Sequence, residues 1–438
     1  MLAKLHTKLG DFWWYSIMLF CACRAADVLN AFVGLWLVPK YIDPSELGAV
    51  MPLVTFSNFL ALPVSVFAMT FMKEMTALAT RGDYGKMKSL IRGVFIAAGI
   101  FAIMTLVISR FVLPVFFERI RIEEGSLGLL ILAASLSAAV TPVYLNALQA
   151  LKRFKTISLL NIASAPIRFL VMVIAMPFRA LSGYFVGQTV TSAFTISASV
   201  YALRKELSVP AEPYWTRTVF RRFAAISIGI ASVMGFSAIL GLVEQTVLRQ
   251  RLPEIESAAY YMATRFSDIA GFASGTLIAV LFPFTATLAT EGKATRPLVI
   301  KSSIAMIAVG CALAAIFAIA GRPLLAILPY GNQYTNYAWA IPWLIIITTL
   351  SSLQSFHANT EISAGRFGFL KWWILLHLIF ASALLFTTEF GYFTTYLPAT
   401  CTDFLSAHNF TSLNAMLWWF TVTALIKTAI CIFELLRQ

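Results

Sequence analysis

Twelve apolar stretches of about 20 residues or more follow one another along this chain, and no other feature limits its fold so strongly. They lie near residues 12–39, 47–71, 93–116, 127–151, 156–178, 180–203, 223–248, 257–287, 297–320, 336–362, 367–388 and 412–436. A helix rises about 1.5 Å per residue, so each stretch is long enough to cross a hydrocarbon core of about 30 Å. With 59% hydrophobic and 12% charged residues, the chain has too little polar side chain to cover a soluble globule of 438 residues. The sequence therefore predicts an all-α integral membrane protein with twelve transmembrane helices. The first stretch is too long for a signal-peptide core and has no small-residue cleavage pattern near its start, so it is expected to stay as a span. The longest connectors, about 204–222 and 389–411, are too short to build a core of their own.

Orientation follows from the basic residues, because cytoplasmic loops retain Lys and Arg. With the N-terminus inside, 21 of the 33 Lys and Arg residues fall on the cytoplasmic side and 7 on the other. Both termini are thus expected in the cytoplasm. The net charge of +13 reads as a topology signal, which removes the case for nucleic-acid binding. KRFK (Lys152 to Lys155) and RKEL (Arg204 to Leu207) are placed to meet anionic lipid headgroups.

Enzyme chemistry finds no foothold. The five cysteines give no disulfide framework, and His6, His357, His377 and His408 are scattered, so no metal cluster is read. There is no GxSxG and no phosphate-binding loop. The expectation is a protein that is not an enzyme and holds no cofactor.

Internal similarity gives the architecture. TALATRG at 76–82 aligns with ATLATEG at 286–292, an offset of 210, and NALQALKRFK from Asn146 aligns with NTEISAGRFG from Asn359 at an offset of 213. Such an offset spans six helices, an even number, so both copies enter the membrane from the same side. Two six-helix bundles related by a pseudo-twofold axis along the membrane normal are expected. Their bounds are 1–208 and 223–438, joined by a cytoplasmic linker at 209–222. A cleft between such bundles permits alternating access, which makes transport the leading reading.

Charges inside the stretches are few. Arg24 lies close to the middle of the first, where a charge costs roughly 2.5–3.5 kcal/mol on the lenient insertion scale. Asp27 is three residues on, on the same helical face. Arg265 and Asp268 repeat the spacing in the eighth stretch, and Glu244 sits toward the outer end of the seventh. Each RxxD is either an ion pair that pins helices or a charged site that faces the cleft. The repeat places no charge at the counterpart positions Met234, Ser237, Thr55 and Asn58. A device common to both halves would have been duplicated, and this favours the cleft. Tyr260 and Tyr261, one turn before Arg265 at the mouth of the eighth stretch, are candidates for ligand contact through their rings. Arg168, Arg110 and Lys427 are expected to snorkel or pair locally. Trp13, Trp14, Tyr15 and the tandem tryptophans Trp372, Trp373, Trp418 and Trp419 are expected in an interfacial belt.

The segment YIDPSELGAVMPL after the first stretch, the LATRGDYGK loop, and AAYYMATRF with LIAVLFPFTATLATEG over the eighth resemble a known family. They are similar to the polysaccharide transporters, the O-antigen and related oligosaccharide flippases, of the multidrug/oligosaccharidyl-lipid/polysaccharide exporter superfamily. The resemblance implies a V-shaped pair of bundles in the cell inner membrane. It implies that an undecaprenyl-pyrophosphate-linked oligosaccharide moves from the cytoplasmic to the periplasmic leaflet. Lipid II flippases of the superfamily usually carry two further C-terminal helices. Its drug antiporters usually carry a Gln-Gly-rich stretch where this chain reads FMKEMTALATRG and LFPFTATLATEG. Both departures point to the polysaccharide group.

In those flippases cationic side chains receive the pyrophosphate, which implies substrate contact for Arg24 and Arg265. A guanidinium offers phosphate a planar, bidentate fit. Asp27, Asp268 and Glu244 are then candidates for coupling to H+ or Na+, or for holding the arginines in place. Expected partners are the lipid-linked oligosaccharide, membrane lipids and other polysaccharide assembly proteins. The competing readings are a cation-coupled antiporter of small molecules and a membrane polymerase or ligase.

Overall fold

The apolar stretches become helices, several of them longer than the stretch that encodes them. The computed structural model of the chain describes residues 21, 23–122, 127–290, 296–363, 368–389 and 412–437, and all regular structure among them is helical. Residues 12–20 of the first stretch lie outside this set, as do Arg366, Phe367 and His408. In chain order the helices are α1 (23–32), α2 (Val38–Tyr41), α3 (Pro44–Leu47), α4 (Val50–Arg81), α5 (Tyr84–Ile120), α6 (Leu127–Ala150), α7 (Phe154–Ala175) and α8 (Ala180–Ala202). There follow α9 (Arg204–Leu207), α10 (Arg217–Arg251), α11 (Glu254–Thr290), α12 (Arg296–Ala326), α13 (Ala340–Ser363), α14 (Leu370–Glu389) and α15 (Leu413–Arg437).

Among the described residues 7 helical stretches, in α4, α5, α6, α7, α10, α12 and α15, are long and apolar enough to cross a membrane. The protein is a multi-pass membrane protein. The stretches at 180–203 and 336–362 are helical too, as α8 and α13. Hydroxyl and amide side chains such as Gln188 and Gln354 lower their mean hydropathy. On α5, Ile96, Ile100, Ile103, Val107 and Phe111 recur at three- and four-residue spacing and are all exposed, Phe111 at 74%. Such an apolar stripe suits lipid and not water.

The chain divides into two compact units. The first takes the residues up to Val33, then Phe56–Glu118, and the next segment through Met234. Its core is built on Phe71, Met75 and Leu90, all fully buried. Hydroxyl and amide groups tie its helices where no water competes. Ser57 meets Ser135 at 2.9 Å, Thr70 meets Ser227 at 2.9 Å, and Asn146 donates to the Ala68 carbonyl at 2.8 Å. Gly183 and Gly187, four apart on α8, let α7 approach until Met176 and Met172 fill the space that a Cβ would take. Residues 209–216 are docked along α5. Lys88 donates to Val209 O at 3.0 Å, Glu212 N to Gly85 O at 3.1 Å, and the Tyr214 hydroxyl reaches Glu74 Oε2 at 2.6 Å. Arg153, whose repeat counterpart is Arg366, pairs with Glu206 and the Ala202 carbonyl, so it fastens the end of α8.

The second unit holds Gly34–Thr55, Arg119–Ile122 and the chain from Gly235 onward. At its centre α13 packs against α11, α12 and α15. Gln354 donates to the Ala424 carbonyl and to Thr428 Oγ1, both at 3.0 Å. The first N–H of α15 is met by a carboxylate, Leu413 N to Glu256 Oε2 at 2.6 Å, which favours the positive end of the helix dipole. Arg249, only 1% exposed, spans two carbonyls, Ile120 O at 3.2 Å and Ser45 O at 2.7 Å.

The tandem tryptophans divide between the surface and the interior. Trp372 and Trp418 are exposed, while Trp373 is buried and donates to Ser237, and Trp419 packs on Phe380. Adjacent helical residues point about 100° apart, so one ring of each pair turns to the bundle interior.

Candidate functional site

Each unit carries one RxxD, and in both the pair closes on its own helix. In the first unit Arg24 Nη2 lies 2.9 Å from Asp27 Oδ2, with 31% and 24% of the side chains exposed. One further turn along the same face stands Asn30, which accepts a hydrogen bond from Arg168 Nη1 at 3.3 Å. Arg168 also donates to the Tyr184 hydroxyl at 3.3 Å and lies over that ring, 5.6 Å from its centre. Its Nε is buried without a partner, and no carboxylate within 4.0 Å balances it among the described residues. Asn161 donates weakly to Cys23 Sγ at 3.4 Å. Among the described residues, one face of α1 thus brings together two guanidinium groups and one carboxylate.

Arg168, expected to snorkel or pair locally, hydrogen-bonds to Asn30, 138 residues away and one turn from Asp27, and to Tyr184. The i, i+3, i+6 run of Arg24, Asp27 and Asn30 was the available signal.

In the second unit Arg265 Nη1 lies 3.1 Å from Asp268 Oδ2, with 22% and 34% of the side chains exposed. Three further contacts fix the guanidinium. Arg265 Nη2 approaches Met51 Sδ at 2.8 Å, its plane lies over Tyr261 at 5.3 Å, and its stem passes Gly34. A Cβ on Gly34 would stand 2.8 Å from Arg265 Cδ, so only glycine leaves this path open. Gly34 lies in a π-helical turn, Val33–Leu37, and its carbonyl accepts the Tyr261 hydroxyl at 3.0 Å. A π turn leaves carbonyls outside the usual ladder, which suits this bond. Tyr261 is fully buried, and its geometry makes it a support for Arg265.

Tyr260 points elsewhere. Its hydroxyl accepts from Gln245 Nε2 at 2.9 Å, its ring packs near Phe420, and it borders a cavity of about 380 Å³ inside the second unit. Glu244 of α10 and Lys427 of α15 also line that cavity, with Thr264, Ser351, Ser352 and Ser355 among its hydroxyls. Glu244 was singled out in the sequence. Its convergence with Lys427, 183 residues later, was not, because nothing in either stretch gives the rotation of one helix against the other.

Comparison with known proteins adds the fold. No protein-family model and no curated protein matches the chain. Solved structures do. A multidrug resistance MATE family transporter of the MOP superfamily, in an inward-facing conformation, matches with a TM-score of 0.63 at 11% identity, over 96% of this chain and 98% of that one. The Vibrio cholerae MATE transporter VcmN in its bent form matches at 0.58 and 12%, over 99% and 98%. The lipid II flippase MurJ, in an inward closed conformation, matches at 0.60 and 12%, over 96% and 87%. At these identities the likeness establishes a shared fold.

Proposed function

We propose that this chain is a flippase that carries an undecaprenyl-pyrophosphate-linked oligosaccharide from the cytoplasmic to the periplasmic leaflet of the inner membrane by alternating access. The fold shared with MATE transporters and with MurJ supports a transporter. The observation that carries the reading is the state of Arg24 and Arg265. Each guanidinium is held by its own aspartate inside a membrane-length segment, yet keeps 31% and 22% of its side chain exposed. A guanidinium fixed by a carboxylate and still partly exposed presents planar donors that suit phosphate oxygens.

In this proposal Arg24 and Arg265 receive pyrophosphate oxygens, with Arg168 adding charge beside Arg24. Tyr261 acts through Arg265, and Tyr260 is assigned to the first sugar. Asp27 and Asp268 hold the arginines when the site is empty, and with Glu244 they are the candidates for coupling to H+ or Na+. Twelve spans in two six-helix bundles, both termini cytoplasmic and contacts with other polysaccharide assembly proteins belong to the same proposal. Deleting the gene should leave glycan repeats on the cytoplasmic leaflet and strip the cell of surface polysaccharide; a normal surface in such a strain sinks the reading.

The fold shared with MATE transporters favours one second reading, export of small organic cations in exchange for protons or sodium. It is tested by dye efflux from vesicles that hold only this protein.

A further inference from the structure

The cavity that Tyr260 borders lies wholly within the second unit, between α10, α11, α13 and α15. Its volume of about 380 Å³ falls within the roughly 300–1,000 Å³ of small-molecule sites. Two charges of opposite sign line it, Glu244 and Lys427, each inside a membrane-length stretch, Ser227–Arg251 and Leu413–Phe433. Glu244 stands about 10 Å in from the Arg251 end of α10, and Lys427 about 20 Å in from the Leu413 end of α15, at about 1.5 Å per residue. Those ends are level enough for Leu413 N to reach Glu256 at 2.6 Å. The two charges are thus staggered along the helices, and among the described residues neither makes an ion pair or a hydrogen bond.

A third group of side chains faces the same space. Thr348, Ser351, Ser352 and Ser355 recur at three- and four-residue spacing on α13, one face of the helix. Ser351 and Ser352 have no hydrogen-bond partner among the described residues. Leu344, Ile347 and Phe420 supply the apolar part of the wall.

Each class of occupant meets these groups differently. A cation answers Glu244, leaves Lys427 unanswered and adds a positive charge where the medium screens poorly; an anion does the reverse. A neutral polyol uses the hydroxyls and leaves both charges without a counter-charge. A zwitterion answers both and adds no net charge. A phosphodiester offers the hydroxyls more oxygens than a carboxylate does, whereas a phosphomonoester carries about −1.5 to −2 at neutral pH and would leave the cavity negative. We infer that this cavity binds an ethanolamine phosphodiester, with its ammonium donating to the Glu244 carboxylate and its charged oxygens accepting from the Lys427 ammonium and the α13 hydroxyls. That chemistry is shared by the headgroup of phosphatidylethanolamine and by free glycerophosphoethanolamine. Lys427 thereby gains a role beside Glu244, and nothing in it depends on flipping.

The test follows the melting temperature of the purified full-length protein in nanodiscs. Discs of phosphatidylglycerol alone are titrated with glycerophosphoethanolamine, and a second series replaces part of the lipid with phosphatidylethanolamine. Wild type should show a saturable rise. A rise with the free diester assigns a soluble source, a rise confined to the second series assigns the lipid headgroup, and no rise in either overturns the site. Glu244→Gln and Lys427→Met should each weaken the effect about 10-fold or more, the loss of one charge-assisted contact. Ethanolamine alone and dimethyl phosphate alone should bind wild type more weakly than the diester by a similar factor, a comparison that needs no variant to fold. A rise unchanged in both folded variants, or matched by either half of the ligand, would refute the assignment. The flippase reading survives such a failure, since no arm measures flipping.

Discussion

Arg265 lies 3.1 Å from Asp268 and over the ring of Tyr261, whose hydroxyl is bonded to the Gly34 carbonyl. The guanidinium is thus held on one side by a charge and on another by an aromatic face anchored to backbone, while 22% of the side chain remains exposed. That combination of fixed position and open surface is what an anion-binding arginine needs.

Replacing Arg24 or Arg265 by Ala should abolish polysaccharide export at unchanged protein level. A charge-assisted hydrogen bond contributes about 1.5–3 kcal/mol, so each loss should lower flipping about 10- to 100-fold. Lysine variants should recover little, because an ammonium cannot make the bidentate contact. Full activity of Arg24→Lys in a complementation assay would reduce the residue to a point charge.

Exchanging the partners, Arg24→Asp together with Asp27→Arg, keeps the ion pair and moves the guanidinium about one turn. Protein level should return to that of wild type and export should not. Wild-type export from the exchanged pair would make the Arg24–Asp27 contact structural alone.

Arg168→Gln removes the charge and keeps a shorter polar amide on the side that faces Asn30 and Tyr184. Export should fall severalfold with no change in melting temperature. An unchanged export rate would remove Arg168 from the site.

Two glycines separate fold from function. A Cβ on Gly48 would stand 2.6 Å from Ser257 Cβ and 2.9 Å from its backbone carbon, so Gly48→Ala should lower stability by about 1–3 kcal/mol. A Cβ on Gly34 meets only the Arg265 and Tyr261 side chains, which can move. Gly34→Ala should leave the melting temperature close to wild type and reduce export, because the displaced group is the one assigned to phosphate.

Arg249→Met tests the contact of α10 with the Ile120 and Ser45 carbonyls. It leaves the Ile120 and Ser45 carbonyls without a donor, at about 1–3 kcal/mol each, and should lower the melting temperature clearly.

Much of the helical framework was legible. The stretches at 127–151, 180–203 and 412–436 match Leu127–Ala150, Ala180–Ala202 and Leu413–Arg437 to a residue or two, because apolar length is a direct demand of the bilayer. Shifted by 213 residues, the bounds of α6 fall on those of α13, Ala340–Ser363. Hydropathy was blind to helix that continues outside the membrane, as in α5, which starts at Tyr84 with the polar GKMKSLIRG. It was blind also to the docked connector, where Tyr214 finds Glu74 140 residues away.

At the site, RAAD and RFSD could be read as pairs because their spacing lies within one helix. The contacts that give them character could not. Asn30 with Arg168, Gly34 with Tyr261, and Glu244 with Lys427 each depend on how one helix is rotated against another, and no single stretch encodes that. The GxxxG of Gly183 and Gly187 was a readable packing signal that went unused.

The central claim is translocation, and it is tested most directly in proteoliposomes that contain only this protein and a fluorescent undecaprenyl-pyrophosphate-linked oligosaccharide. Label in the outer leaflet is bleached by a membrane-impermeant reductant. Wild-type protein should expose nearly all of the label, against about half in protein-free vesicles and in vesicles carrying Arg24→Ala with Arg265→Ala. Bleaching that stops at half with folded wild-type protein would contradict the account.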